Sequence, residues 1–94
     1  MKQLPRNYAM RDGFCMFPGY RWCGPGCSGP GAPVNAVDAA CMAHDLCYRR
    51  PGTSRRSCDL ELMNRLRPHL HTPTPEGSHA RELYRLMRLK SAFM

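Results

Sequence analysis

The sequence predicts a small, mainly α-helical fold held by disulfides. It has two long core helices, a glycine- and proline-rich loop before them, and a third helix near the C-terminus. Three observations predict this. Three segments carry helix caps and apolar stripes, residues 20–34 are too rich in glycine and proline to be helical, and 94 residues hold six cysteines. A chain this short is expected to form one domain over 1–94. It buries only about 60–65% of its unfolded surface, so its core gains from covalent staples. Cys15, Cys23, Cys27, Cys41, Cys47 and Cys58 can form three disulfides, whose pairing composition leaves open.

Residues 1–19 lack periodicity and are interrupted by Pro5, Gly13, Pro18 and Gly19. They read as an irregular arm carrying Tyr8, Met10, Phe14, Met16 and Phe17. Residues 20–34, YRWCGPGCSGPGAPV, read as a shaped loop that presents its backbone. Residues 35–50 form a helix. Asn35 is a fitting N-cap, and Asp38 stands where the acidic member of a capping box would. Arg49 and Arg50 suit the negative end of the dipole, and Pro51-Gly52 stop the helix. Residues 54–67 form the second helix, capped by Ser54, ended by Pro68, and striped by Leu62, Met63 and Leu66. Pro68–Gly77 reads as a connector. Residues 78–92 form the third helix, with Ser78 as its cap. Leu83, Leu86 and Met87 share a face with Ala80, while Arg81, Arg85 and Arg88 lie mostly opposite. His69, His71 and His79 flank the connector and read as surface residues.

Fourteen Lys/Arg against seven Asp/Glu give a net charge of +7. That balance suits an anionic membrane or a nucleic acid, and simple solubility equally. No run approaches a membrane span. The cysteines suggest an oxidising compartment, although no apolar signal-peptide core is visible near Met1.

The chemistry concentrates in CMAHDLCY, Cys41–Tyr48. On a helix, Cys41, His44 and Tyr48 line one stripe. His44 and Asp45 stand about 100° apart, so one can face a reacting water while the other faces the loop. Glycines in that loop let carbonyls turn inward, and hard cations take oxygen ligands. One carboxylate with several carbonyls makes a weak Ca²⁺ site, about 10⁻⁴–10⁻³ M. Zinc held by cysteines is the competing reading, but the spacings do not make paired knuckles.

The run from Tyr20 to Tyr48 resembles phospholipase A2. Secreted members carry Y-C-G-x-G, then x-P-x-D-x-x-D, then C-C-x-x-H-D-x-C-Y. Here stand Trp22-Cys23-Gly24-Pro25-Gly26, then Pro33 and Asp38, then Cys41, His44-Asp45, Cys47 and Tyr48. The loop is closest to the phospholipase domain of parvovirus capsid proteins, with its G-P-G-x-S, P-x-N, D-A-A and H-D-x-x-Y. Those appear as Gly24-Pro25-Gly26-Cys27-Ser28, Pro33-Val34-Asn35, Asp38-Ala39-Ala40 and His44-Asp45 with Tyr48.

The resemblance implies calcium-dependent hydrolysis of the sn-2 ester of phosphoglycerides. His44 would be the general base. Asp45 and the carbonyls of Trp22, Gly24 and Gly26 would hold Ca²⁺. Asp59, following Cys58, would orient the histidine, with Tyr48 hydrogen-bonded to it. It also implies Cys47–Cys58 and Cys23–Cys41, which leaves Cys15 with Cys27. The implied partner is a phospholipid surface, anionic given the charge, rather than a nucleic acid, and the implied location is secreted or otherwise extracytoplasmic. Three features depart from the pattern: Ala40-Cys41 replaces the tandem cysteines, the loop is slightly longer than in the secreted animal enzymes, and the N-terminal interfacial helix is not evident. No G-x-S-x-G elbow exists, so water is the expected nucleophile, with His44 as its base and the Gly24 amide as an oxyanion donor. The competing class is a catalytically silent membrane-binding relative.

Overall fold

The computed structural model describes residues 15–92. Residues 1–14 of the expected arm therefore lie outside the described residues. Helix α1 spans Ala36–Arg49, α2 Arg55–Leu66 and α3 Pro75–Ala92, with a 3-10 turn at Arg67–His69. Among the described residues there is no strand. The architecture is the mainly helical, disulfide-stapled fold that the sequence predicts.

Each helix starts where its side chains can satisfy the free N–H groups of the first turn. Asn35 is extended, and its side chain accepts from Asp38 N at 2.8 Å. Ser54 does the same for Ser57 N at 3.1 Å. The capping box expected at Asp38 does not close. The Asp38 carboxylate is fully buried and accepts instead from the N–H groups of Val34, Arg21 and Trp22, at 3.0, 3.1 and 2.8 Å. An apolar neighbourhood makes an unpaired carboxylate costly, and the loop amides are the donors within reach.

Helix α3 begins at Pro75, three residues before the expected Ser78 cap. Thr74 supplies the cap, its Oγ1 accepting from Gly77 N at 3.2 Å. Pro75 follows at the first helical position, where its fixed φ suits a helix and its missing N–H costs nothing. The first turn of α3 also reaches α1, where Glu76 accepts from Ala36 N at 2.9 Å.

A turn over residues 50–54 folds α2 back on α1, and Cys47–Cys58 ties the two across it. Cys23–Cys41 binds the loop to α1, and Cys15–Cys27 closes the loop's own entrance. With no free cysteine, the zinc alternative loses its ligands. The core joins Val37, Ala40 and Cys41 of α1, Leu62 and Leu66 of α2, and Ala80 and Leu83 of α3, with Phe17, Tyr20 and Cys23 from the chain before α1. His79 is not a plain surface residue. Its ring stacks on Phe17 at 4.2 Å, and its Nδ1 lies 2.8 Å from the Tyr20 hydroxyl.

Candidate active site

The loop between Tyr20 and Val34 is organised from both sides. From below, buried Asp38 gathers the amides of Arg21, Trp22 and Val34. From outside, the longer part of the loop folds under the Trp22 indole, whose Nε1 donates to Gly31 O at 3.0 Å. Gly29 lies so close to that ring that a Cβ would stand 2.7 Å from it. A glycine is required there by space and by its φ of +85°. The rest of the loop turns on Gly24 and Gly26, both at positive φ. The Gly24 carbonyl accepts from Cys27 N at 3.0 Å and closes a turn. The Trp22 and Gly26 carbonyls accept no backbone N–H among the described residues. Of the three expected carbonyls, then, two are unengaged by backbone and one shares its lone pairs with a turn.

On α1, His44 and Asp45 divide as helical geometry requires. The His44 Nε2 lies 2.7 Å from Asp59 Oδ1 on α2. Tyr48 donates its hydroxyl to the same oxygen, also at 2.7 Å. A carboxylate accepts only, so Nε2 carries a proton toward Asp59, and in the neutral imidazole Nδ1 keeps the lone pair. Asp59 has no exposed surface, whereas the His44 side chain keeps 14% of its own. Burial acts to raise the Asp59 pKa, but the hydrogen bonds from His44 and Tyr48, with the Lys90 ammonium beside it, outweigh burial and hold the carboxyl below its usual range.

Asp45 points the other way, toward the loop. Its Oδ2 is buried and has no hydrogen-bond partner among the described residues. Burial pushes its pKa up, against the pull of His44, Arg49 and a hydrogen bond from Ser28. An orphaned carboxylate oxygen and carbonyls without backbone partners are oxygen donors of the kind a hard cation takes. Among the described residues there is no group of three His, Cys, Asp or Glu to hold a metal. The Asp45 carboxylate and the free loop carbonyls are the kind of oxygen donors that Ca²⁺ takes.

Both faces open on one cavity of about 350 Å³. Trp22, Gly24, His44 and Asp45 form its polar end. Met16, Leu62, Leu83, Leu86 and Met87 form its apolar wall, and Lys90 also lines it. The family model of the phospholipase A2-like domain matches residues 14–69. The chain belongs to this family. Comparison with curated proteins and with solved structures finds no match. Membership supports a lipolytic hydrolase of the phospholipase A2 type. The match takes in His44, Asp45, Tyr48, Asp59 and the whole loop, and it ends before α3.

Sequence reasoning missed two residues that shape this site, Asp38 and Lys90, and misplaced a third, His79, which packs beside the loop. Asp38 read as a cap but is the anchor of the loop. His79 read as surface but packs beside Tyr20. Lys90 was not singled out, yet its Nζ donates to the Tyr48 hydroxyl at 2.6 Å and stands 3.1 Å from Asp59 Oδ2. A signal for Lys90 did exist: it continues the Leu83, Leu86, Met87 stripe at helical spacing, where an apolar residue is the ordinary choice.

Proposed function

We propose that this domain is a calcium-dependent phospholipase A2 that hydrolyses the sn-2 ester of phosphoglycerides at an anionic membrane surface. One observation carries the reading. An oriented His44–Asp59 pair and an unpartnered Asp45 oxygen meet at the polar end of a cavity with an apolar wall.

The residues divide the work. His44 Nδ1 takes the proton of an attacking water, and Asp59 stabilises the imidazolium through Nε2–H. The imidazolium then returns the proton to the departing alkoxide. The Gly24 amide donates toward the oxygen on which negative charge develops. Asp45, with the carbonyls of Trp22, Gly26 and Gly24, would hold Ca²⁺, which when bound supplies a Lewis acid for the ester carbonyl. Met16, Leu62, Leu83, Leu86 and Met87 receive an acyl chain. In this reading α3 supplies much of that wall. Arg81, Arg85 and Arg88 add positive charge outside the cavity, each contributing about 1 kcal/mol where it lies near anionic headgroups. Three disulfides support work in an oxidising, extracytoplasmic compartment. No helix of the described residues is long and apolar enough to cross a membrane.

The test is fatty-acid release from phosphatidylglycerol vesicles labelled at the sn-2 position. Release is expected in millimolar Ca²⁺, is lost in excess chelator, and falls by at least about a thousandfold in His44→Ala, the scale expected when a general base and its oriented water are lost. Undiminished release in chelator would remove calcium from the proposal. Vesicle binding without release would instead make the domain a silent membrane-binding relative.

A further inference from the structure

We propose that Lys90 of α3 is a positioning residue for the His44–Asp59 pair, holding Asp59 and Tyr48 so that Asp59 Oδ1 stays aimed at His44 Nε2. This deepens the hydrolase reading, since it takes His44 as the base. It concerns a residue beyond the stretch that matches the family, which ends at His69.

The argument is one of hydrogen-bond direction. An ammonium only donates, a carboxylate only accepts, and a phenol does both. Lys90 Nζ donates to the Tyr48 hydroxyl at 2.6 Å. The hydroxyl, its lone pair so engaged, donates to Asp59 Oδ1 at 2.7 Å. His44 Nε2 donates to that same oxygen at 2.7 Å. Lys90 also stands 3.1 Å from Asp59 Oδ2, close enough for an ion pair but without hydrogen-bond alignment. Every proton in the chain thus runs toward Asp59. Without Lys90, the Tyr48 hydroxyl could turn to solvent, and Oδ2 would be left buried without a counter-charge. The pair is not an ordinary surface salt bridge, because Asp59 is fully buried.

The position in the helix explains how a lysine reaches so far inward. It follows Leu83, Leu86 and Met87 on the face of α3 that walls the cavity, so its stem packs with them while its tip meets Tyr48. Arg88, two residues earlier, lies on the opposite face.

The test compares Lys90→Met, Lys90→Gln and Lys90→Arg with Arg88→Met in the full chain, all four after a denaturation check. Without calcium, ¹⁵N-edited NMR of the His44 imidazole reads the Nε2–H proton directly. The wild type is expected to show that tautomer with slow solvent exchange. The proton should exchange about tenfold faster or more in Lys90→Met and Lys90→Gln, since a charge-assisted contact is lost. Lys90→Arg should restore the slow exchange, and Arg88→Met, with the same change of charge, should leave it unchanged. On phosphatidylglycerol vesicles with calcium, Lys90→Met should lower kcat about tenfold or more with KM changed less than about twofold. Wild-type exchange in both neutral variants overturns the proposal. If the wild type releases no fatty acid, the hydrolase reading falls, and the exchange measurement alone decides the role of Lys90.

Discussion

Two carboxylates lie near one imidazole and are driven in opposite directions by their surroundings. Asp59 receives His44, Tyr48 and Lys90, and its pKa falls despite burial. Asp45 has one oxygen without a partner, and burial raises its pKa. The signs set how stability responds to acid. A carboxyl whose folded pKa lies below its unfolded value of about 3.9 contributes stability above that pH. The contribution is lost as pH falls through the folded pKa. Asp59 therefore steepens acid unfolding below about pH 4, whereas Asp45 acts with the opposite sign wherever no cation neutralises it. Urea midpoints measured from about pH 2 to 6 should fall less steeply in Asp59→Asn than in the wild type. Equal slopes would show that Asp59 carries no shifted proton.

At the scale of elements, the junction between the connector and α3 is the most constrained. Gly77 sits in the first turn of α3, buried against the connector, and a Cβ there would lie 1.9 Å from the Thr72 carbonyl oxygen. Backbone cannot step aside as a side-chain tip can. Gly77→Ala is expected to cost about 1–3 kcal/mol, the range for forced overpacking, even though alanine is the better helix former by about 1 kcal/mol. Chemical denaturation measures it, and a stabilised variant would mean the junction has room to relax. Because the same turn places Leu83, Met87 and Lys90, the substitution should also slow hydrolysis. Helix α1 depends on a different kind of anchor. Asn35 caps it locally, while Glu76 reaches its first free N–H from α3.

For the whole molecule, three short helices do not supply a large core, and covalent links carry part of the stability. Cys23–Cys41 closes a separation of 18 residues and Cys47–Cys58 one of 11. Chain entropy assigns each about 3 kcal/mol, a large share of the 5–15 kcal/mol typical of a domain. Replacing either pair by alanine should lower the denaturation midpoint by a similar amount through the unfolded state. Only the Cys23–Cys41 pair joins loop to helix, so only its loss should weaken calcium binding measured by calorimetry. Equal calcium affinity in both double variants would mean that the Asp38 and Trp22 hydrogen bonds, with Cys15–Cys27, hold the loop in place without that link.

Much of this was legible in the chain. Caps, stops and apolar stripes placed α1 and α2 to within a residue at each end, because those signals act over one helical turn. The His44-Asp45 step and the glycine loop were equally visible, because their chemistry needs particular side chains at particular spacings, and Asp59 entered through the family resemblance. The start of α3 was not read correctly: Ser78 looks as good a cap as Thr74, and the choice turns on Pro75 and on how Gly77 packs against Thr72. Asp38 resembled a capping acid because its spacing from Asn35 suits one, yet its partners are amides from a loop that only folding brings near. Lys90 lies 31 residues after Asp59 and looks like one more charge on a basic helix. By itself the sequence determined where α1 and α2 lie, and its resemblance to phospholipase A2 supplied the cysteine pairing and the polar residues of the proposed site. The tertiary structure alone decided which of those polar groups meet, since the direction of a hydrogen bond and the burial of its acceptor depend on neighbours remote in the chain.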